Sequence, residues 1–366
     1  MRVVIDATPL LVRSAGVKNY LYHWIEHLRQ AAGAGDEIAT FPAMREFRAL
    51  THEASVVGRV RTWGGLGALA LGNHLRVPVL DWAASGADVF HASVLVRRPP
   101  RRVRLTATVH DLTAFLMPEL HPRANLVAER SFAEVARRAD RLIAVSECTR
   151  RDAVRVLGIA EEKITTIHSG IADGFFDPPA ERVEEVRRRY GLQRPFVLFV
   201  GTIEPRKNVD VLLDAFEALP ASTREQYQLV FAGPLGWASE RTVARLRAVR
   251  YLGYIPERDL APLTAAAQAF VYPSLYEGFG FPVAQAMAAG TPVITSNVSS
   301  LPEIAGDAAL LVDPRSQSEM RAALARLLGS EALRVALSAA GRVRAREFRW
   351  EVCAAKSLEF FRQVTG

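Results

Sequence analysis

The sequence has few cysteines, few lysines and no long apolar run, and each shortage narrows the class of protein. Only two of the 366 residues are cysteines, Cys148 and Cys353, which is too few for a disulfide framework and is typical of a reducing cytosol. No apolar run reaches about 18 residues, so a transmembrane helix is not expected. The first segment, "MRVVIDATPLLV", has the pattern of a buried strand and not that of a cleaved signal. These features predict a cytoplasmic protein.

Motifs for metal ions and for common cofactors are also missing. The chain has no Cys/His cluster with ligand spacing and no Asp-x-Asp pair, so no bound metal is predicted. The loop "RSAGVKNY" (13–20), which follows the first predicted strand, contains Gly16 but not G-x-G-x-x-G. A nicotinamide or flavin dinucleotide is therefore not expected, and no cofactor is predicted.

Positive charge is concentrated in the first half of the chain and is carried almost wholly by arginine. Four of the 46 basic residues are lysine. Residues 1–170 hold 23 Lys and Arg against 17 Asp and Glu, a balance of +6, whereas residues 171–366 hold 23 against 22, a balance of +1. The excess includes "RRPPRRVR" (97–104), Arg45, Arg48, Arg59 and Arg61.

Two interpretations of this basic half stay open: a solvated arginine-rich face, or a surface for an anionic partner such as a phospholipid membrane or a diphosphate-bearing acceptor. Nucleic acid is not expected, because no aromatic residues interleave with the arginines and no nucleic-acid motif occurs. The apolar segment "WGGLGALALG" beside Arg59 and Arg61 fits either a buried helix or one that enters a membrane surface.

Short apolar runs alternate with amphipathic helical patterns along the chain, which predicts parallel sheets built from βαβ units. The length favours two domains. A cluster of Gly, Asp and Pro at 170–182 marks the seam, so the N-terminal domain is predicted over 1–174 and the second from 175. Two doubly wound domains would place their strand C-termini at one cleft. The predicted strands are "RVVIDA", "ADVFHA", "LTATVHDL", "RLIAVS", "ITTIHSG", "FVLFVGT", "QLVFAG", "VRYLGYI", "AFVYPS" and "PVITS".

The loop after "FVLFV" has the composition of an anion site. Gly201 and Thr202 end the strand, and Arg206 and Lys207 come just before a helix for which Asn208 is a candidate N-cap. Amides at a helix N-terminus and two cations together favour a phosphate, although a solvated basic pair is the alternative. The next such loop, "GPLGW" (233–237), contains Gly233, which serves either a turn or a close backbone approach to a ligand.

The segment "SLYEGFGFPVAQAMAAGTPVIT" (274–295) combines a carboxylate with exposed amides. Glu277 precedes Gly278 and Gly280, whose lack of side chains lets the loop amides approach a ligand. A carboxylate repels phosphate but accepts hydrogen bonds from sugar hydroxyls. If a helix starts at Pro282, Gln285 lies one turn in and its side chain leans back toward the loop. A sugar pocket is therefore predicted here, with a surface turn as the alternative.

Two histidines end apolar strands in the N-terminal half. His110 and Asp111 close "TATVHDL", and His91 closes "ADVFHAS". A strand C-terminus facing a cleft favours a role at the site for His110 and, less strongly, for His91. A structural histidine is the alternative for both.

Taken in order, these segments resemble family 4 glycosyltransferases of the GT-B fold. The resemblance extends over nearly the whole length through the Gly16 loop, "VHDL", "RLIAVSECTRRD", "IHSGI", "GTIEPRKN", "LVFAGPLGW", "VRYLGYIPERDL" and "YEGFGFPVAQAMAAGTPVITSNVSSLPEIAGDAALLVDP". It implies an α/β fold of two facing Rossmann-like doubly wound domains. The N-terminal domain (1–174) would bind the acceptor and the domain over 175–348 the nucleotide-sugar donor. The final helix, 349–366, would cross back to the N-terminal domain.

The resemblance also implies roles for individual residues in a retaining, metal-independent transfer. Arg206 and Lys207 would neutralise the donor diphosphate, and Glu277 would hold hydroxyls of the donor sugar. His110 would lie near the reacting carbon, and Gly16 would let the first loop approach the phosphates. The remaining donor contacts would come from Gly201, Thr202, Gly233, Gly278, Phe279, Gly280, Phe281 and Gln285, with Glu204 at the rim.

One position departs from the family pattern Glu-x7-Glu, because Gln285 replaces the second acid, which usually binds the nucleotide ribose. A neutral acceptor contributes about 0.5–1.5 kcal/mol where a charged one contributes about 1.5–3, so weaker nucleotide binding is expected. The implied reaction is hexose transfer, of mannose from GDP-mannose or glucose from UDP-glucose, to a polysaccharide or lipid-linked glycan at the inner face of the membrane. Acceptor residues are expected within 40–80. A nucleotide-sugar epimerase of the same architecture is the alternative.

Overall fold

The computed structural model describes residues 1–14, 16–51, 53–75 and 77–366. Ala15 of the Gly16 loop, and His52 and Arg76 of the predicted acceptor segment, lie outside the described residues. The chain forms two compact units, one made of Met1–Gly170 and Trp350–Gly366 and the other of Ile171–Arg349. The units divide between Gly170 and Ile171, whereas the sequence predicted a boundary between 174 and 175, and the second division falls between Arg349 and Trp350.

The described part of the first unit contains a six-stranded, wholly parallel sheet. Its strands are β1 (Arg2–Asp6), β2 (Glu37–Phe41), β3 (Val89–Ala92), β4 (Arg104–Val109), β5 (Arg141–Ala144) and β6 (Ile164–Thr166). Its helices before the seam are α1 (Gly16–Ala31), α2 (Arg59–Leu75), α3 (Val79–Ala83), α4 (Thr113–Leu116), α5 (Arg123–Arg138) and α6 (Glu147–Leu157). Most strand residues are buried, as expected for a parallel sheet covered on both faces.

The second unit, Ile171–Arg349, contains a second parallel sheet of six strands among the described residues. Its strands are β7 (Phe196–Val200), β8 (Gln228–Ala232), β9 (Arg250–Tyr251), β10 (Ala269–Tyr272), β11 (Val293–Ser296) and β12 (Ala309–Val312). Its helices are α7 (Ala180–Arg189), α8 (Val209–Glu217), α9 (Ala221–Gln226), α10 (Glu240–Leu246), α11 (Glu257–Ala265), α12 (Phe281–Ala288), α13 (Leu301–Ala305), α14 (Gln317–Gly329) and α15 (Glu331–Ala345).

The last helix, α16 (Trp350–Thr365), belongs to the first unit and packs against α1. The Trp24 indole donates to the Ser357 hydroxyl at 2.9 Å, and Trp350 is buried beside the Tyr20 ring. Gly170 has no room for a side chain, because a Cβ there would overlap Trp350. No helix among the described residues is both long and apolar enough to cross a membrane.

The strand order of the second sheet, β12-β11-β10-β7-β8-β9, places a topological switch point between β7 and β10. The chain leaves β7 toward β8 on one side and returns to β10 on the other. Ligands of open α/β sheets bind beyond the carboxyl ends of strands at such a point. The loops after β7 and β10, which carry the predicted anion and sugar sites, therefore lie side by side.

Candidate active site

Arg206, Lys207 and Glu277 form one cluster of charged groups at the switch point of the second unit. The Lys207 Nζ donates to the Glu277 Oε1 at 2.6 Å and to the Tyr272 hydroxyl at 2.7 Å. The Arg206 Nη1 lies 3.0 Å from the same Oε1. Glu204, predicted at the rim, accepts from the Arg206 Nη2 at 2.8 Å. Two cations are thus balanced by two carboxylates.

Main-chain and hydroxyl contacts fix the two loops to one another. The Leu275 amide donates to the Arg206 carbonyl at 2.9 Å, and the Arg206 Nη1 donates to the Tyr276 carbonyl at 2.7 Å. The Ser274 hydroxyl donates to the Glu277 Oε1 at 2.6 Å. Asn208 lies at the N-cap position of α8, but its side chain makes no capping bond and donates instead to the carbonyls of Pro273 and Pro314. The prediction that its side chain caps α8 was wrong. Asn208 has a left-handed backbone conformation (φ 53°), and its side chain connects two other loops instead.

Glu277 is charged in this cluster. Burial by itself raises the pKa of a carboxyl, but the Arg206 and Lys207 charges, with hydrogen bonds from Lys207 and Ser274, outweigh it and lower the pKa of Glu277 to about 2. Burial and the neighbouring Arg206 lower the pKa of Lys207, and the Glu277 charge partly offsets this lowering. Burial, followed by the Glu277 charge, raises the pKa of the Tyr272 phenol, so Tyr272 stays a neutral acceptor for Lys207.

The loop after Glu277 leads directly into α12. Gly278, Phe279 and Gly280 are buried, and Phe281 is the first helical residue, so Pro282 is the second and not the first. Gly280 has φ 96°, and a Cβ there would lie 2.8 Å from the Leu301 Cδ2, so both backbone and space require glycine. Gln285 lies one turn into α12 and is partly buried.

The glycines of the two neighbouring loops allow close backbone packing. Gly201 and Thr202 follow β7, and Gly233 follows β8 with φ 131°. A Cβ on Gly233 would overlap the Gly201 carbonyl. The Ile203 amide donates to the Pro234 carbonyl at 2.9 Å, which joins the loops beyond that point. Gly233 thus has a packing role that does not depend on a ligand.

The N-terminal candidates lie in the first unit. His110 is partly exposed at the end of β4, and its ring packs edge-on against Tyr20 at 4.8 Å between centroids. Burial of the rest of the ring lowers the pKa of His110 to about 4, with opposition from Asp111, so the imidazole is neutral at pH 7. Asp111 accepts from the amide and hydroxyl of Thr113, at 3.0 and 2.5 Å, at the start of α4. Gly16 is exposed at the start of α1, with open space where a Cβ would lie.

His91, for which the sequence allowed either a role at the site or a structural role, makes the contacts of a structural histidine. Both ring nitrogens lie within hydrogen-bond distance of threonine hydroxyls, at 2.9 Å from Thr106 and 3.0 Å from Thr108. The side chain is fully buried, and that burial, with the nearby His110, lowers the pKa of His91 to about 3. A buried, neutral imidazole whose two nitrogens both have hydrogen-bond partners stabilises the sheet.

Sequence reasoning missed Asp6, a buried carboxyl at the end of β1. It accepts from the amide and hydroxyl of Thr8, at 3.2 and 3.0 Å, and from the Ser93 hydroxyl. Burial raises the pKa of Asp6 to about 6, although these hydrogen bonds oppose the shift. Asp6 could have been found in the sequence because it is an acidic residue at the end of an apolar strand. His110 was identified from the same kind of position.

Both units match models of protein families. Residues 14–174 match the model "Glycosyltransferase Family 4", and residues 183–344 match "Glycosyl transferases group 1". Among relatives, the O-antigen chain mannosyltransferase B of Escherichia coli is 35% identical over 272 residues, which are 72% of this chain and 71% of the relative. The serotype-specific mannosyltransferase WbdA of Escherichia coli is 28% identical over 79% of this chain, but the match covers only 37% of WbdA.

Solved structures agree on the fold. Sucrose-phosphate synthase from Thermosynechococcus elongatus superposes with a TM-score of 0.75 at 23% identity, over 100% of this chain and 99% of that one. Anabaena HepE, in complex with UDP-glucose, gives a TM-score of 0.72 at 18% identity over 99% of this chain and 100% of HepE. The chain has the GT-B fold and belongs to glycosyltransferase family 4.

Proposed function

We propose that the chain transfers mannose, with retention of configuration, from a nucleotide-diphosphate donor to a growing polysaccharide or lipid-linked glycan. The observation that carries this proposal is the convergence of Arg206, Lys207 and Glu277 at the switch point between β7 and β10. The choice of mannose rests on the two relatives described above, both of which are named as mannosyltransferases. GDP-mannose is the donor that we propose, and UDP-glucose, which HepE binds, is the alternative.

The cluster supplies what departure of a nucleoside diphosphate requires. Negative charge develops on the diphosphate as the glycosidic bond breaks, and fixed cations in a site sheltered from water lower that barrier. Arg206 and Lys207 are held in place by Glu204, Tyr272 and Glu277, so little reorganisation is needed. These cations provide the positive charge without a metal ion, and we expect EDTA to leave transfer unchanged.

Glu277 is proposed to bind sugar hydroxyls, with the amides of Phe279, Gly280 and Phe281 beside it. Its low pKa keeps it charged at neutral pH, which strengthens hydrogen bonds from hydroxyls. The roles of His110 and Gly16 stay predictions from the resemblance.

A donor screen followed by product analysis tests the proposal. GDP-mannose should raise the melting temperature more than UDP-glucose or ADP-glucose, because a ligand of the folded state stabilises it. Incubation with GDP-mannose and a mannosyl-lipid acceptor should give an α-linked product by NMR. A product that needs UDP-glucose would overturn the choice of donor, and a β-linked product would overturn retention. Conversion of the donor sugar without any acceptor would favour the epimerase.

Gln285→Glu tests the predicted ribose contact. Restoring the acid gives a charge-assisted bond to a hydroxyl, so the Kd for GDP should fall by roughly three- to tenfold. Isothermal titration of GDP measures the change, with Gln317→Glu on α14 as a matched control away from the site. An unchanged Kd in Gln285→Glu would contradict the ribose role.

We also propose that the protein works at an anionic membrane surface, through the exposed face of α2. Val60 and Trp63 are 88% and 74% exposed, and Leu71 continues the same face, whereas Leu69 is buried. A Cβ on Gly65 would lie 2.6 Å from the Pro42 ring, so the opposite face is closely packed. The helix thus presents an apolar stripe that nothing in the described chain covers.

Hydrogen bonds connect the basic segment 97–104 to α2 and α3. The Arg97 amide donates to the Asn73 side chain at 2.9 Å, and the Asn73 amide donates to the Leu95 carbonyl at 3.0 Å. The Arg101 amide donates to Asp81 of α3 at 3.0 Å. No acidic residue occurs at 54–80 or 89–110. An apolar stripe flanked by exposed arginines fits an anionic bilayer better than an uncharged partner.

Vesicle sedimentation tests the membrane proposal. At low salt the chain should bind vesicles containing phosphatidylglycerol and not pure phosphatidylcholine. The double variant Arg97→Gln/Arg98→Gln should weaken binding by roughly 30-fold, from about 1 kcal/mol for each arginine. Trp63→Ser should weaken it without changing its salt dependence. Arg321→Gln/Arg326→Gln on α14 is the matched control, and equal losses in both double variants would overturn the proposal.

A further inference from the structure

Two consecutive serines after β11 hold the main chain of the loop that carries Glu277. The Ser299 Oγ accepts a hydrogen bond from the Glu277 amide at 3.0 Å. The Ser300 hydroxyl lies 2.9 Å from the Glu277 carbonyl oxygen and 3.0 Å from that of Phe279, to which it donates. Both the amide and the carbonyl of Glu277 are therefore bonded to hydroxyls from a neighbouring loop.

Neither helix capping nor backbone conformation explains why serine occupies positions 299 and 300. Ser300 is at the N-cap position of α13, where a serine normally accepts from an amide of the first turn, yet its fully buried side chain makes no capping bond. Ser299 has φ 56°, a conformation that favours glycine and is unfavourable for other residues. In both cases the hydroxyl bonds to the Glu277 loop instead.

The next residue strengthens this attachment. The Leu301 side chain fills the space beside Gly280, where a Cβ would come within 2.8 Å of it. Residues 299–301 thus contact the loop from Glu277 to Gly280 at each end.

The side-chain contacts of Glu277 converge on one of its two carboxylate oxygens. Lys207, Arg206 and Ser274 all contact the same oxygen, Oε1. These three contacts hold Oε1, and the side chain reaches them from a main chain that the hydroxyls of Ser299 and Ser300 hold.

We propose that Ser299 and Ser300 are positioning residues for the donor sugar: they fix the Glu277 main chain so that its carboxylate and the following amides keep one orientation toward the sugar hydroxyls. The inference rests on the proposed function, because it takes Glu277 as the group that binds the sugar. Nucleotide binding, which depends on Arg206 and Lys207, should be nearly independent of the serines.

Three variants test this with GDP-mannose as donor and GDP as inhibitor. Ser299→Ala, Ser299→Gly and Ser300→Ala should each lower kcat/KM by about tenfold or more, because small misplacements of a positioned group are costly. The Ki for GDP should change by less than about threefold in all of them, since the contacts of Lys207, Arg206 and Ser274 keep the Glu277 Oε1 beside the two cations. Ser299→Gly should melt at a higher temperature than Ser299→Ala, because glycine adopts the positive φ freely.

Activity lost equally in Ser299→Ala and Ser299→Gly, while their stabilities differ, identifies the hydroxyl and not the fold as the cause. Ser330→Ala is the matched control, because Ser330 caps α15 by accepting from the Leu333 amide. It should lower the melting temperature and leave kcat/KM unchanged. If the Ser299 and Ser300 variants behave like Ser330→Ala, the positioning role is overturned. If the wild-type chain does not turn over GDP-mannose, the proposed function is wrong and this inference with it.

Discussion

Replacement of Lys207 by methionine is expected to lower kcat/KM for transfer by about 10²–10³-fold, the effect of removing one preorganised donor from a developing negative charge. Lys207 is 7% exposed and lies within 2.7 Å of both Glu277 and Tyr272, so its charge is fixed before the donor arrives. The affinity for GDP should fall as well, because the same ammonium would bind the product diphosphate. Initial rates and titration of GDP measure the two effects.

Methionine fills much of the lysine volume, so the loss should not come from unfolding. Removing one partner of a buried ion pair costs about 3–5 kcal/mol when the other charge is left alone. Here Glu277 keeps Arg206 at 3.0 Å and Ser274 at 2.6 Å, so a smaller loss of stability is expected. Lys356→Met, on an exposed position of α16, is the matched control. Transfer within threefold of wild type in Lys207→Met would contradict the diphosphate role.

Much of the fold was accessible from the sequence, because buried parallel strands are short continuous apolar runs. All ten predicted strands are present, and the two that were missed, β2 and β12, lie at sheet edges. Each has one neighbour. Glu and Thr interrupt the apolar run in "EIATF", and a four-residue apolar run such as "ALLV" cannot be distinguished from a buried helical segment by periodicity alone.

The residues of the candidate site could be predicted from the sequence, but the contacts between them could not. The residue patterns predicted an anion site at Arg206 and Lys207 and a sugar site at Glu277, 70 positions from Lys207, and the resemblance assigned both to one donor. The structure adds that the three side chains contact one another in one charge cluster. That contact arises from the adjacency of β7 and β10, which no local spacing reveals. Ser299 and Ser300 carry no motif of their own. Their relation to Glu277 depends on the left-handed backbone at Ser299, which is visible only in three dimensions.

Glu277→Gln is expected to change transfer and product binding in opposite directions. In the cluster, Glu277 contacts both cations through Oε1, at 2.6 and 3.0 Å, and so competes with a diphosphate for them. Two unit charges about 4 Å apart interact by roughly 4 kcal/mol near a protein surface, so removing this carboxylate charge should tighten GDP binding, by about tenfold after losses in geometry. Transfer should fall by about 100-fold or more, because charge-assisted bonds to the sugar are lost.

The opposite signs distinguish this role from a purely structural one, since a damaged site would bind GDP more weakly. The pKa of Glu277 is about 2, so the carboxylate is ionised at every pH from 5 to 9, and its own titration cannot change the ratio of variant to wild-type GDP affinity there. Glu277 opposes the lowering of the Lys207 pKa, so its removal lowers that pKa further, and any change of the ratio with pH is expected to come from Lys207. A ratio that rose toward pH 5 would mean that another group titrates at the site. Glu331→Gln, an exposed carboxylate at the start of α15, controls for the change in net charge. Weaker GDP binding in Glu277→Gln would show that the hold of the carboxylate on Arg206 and Lys207 matters more for GDP affinity than its competition with the diphosphate.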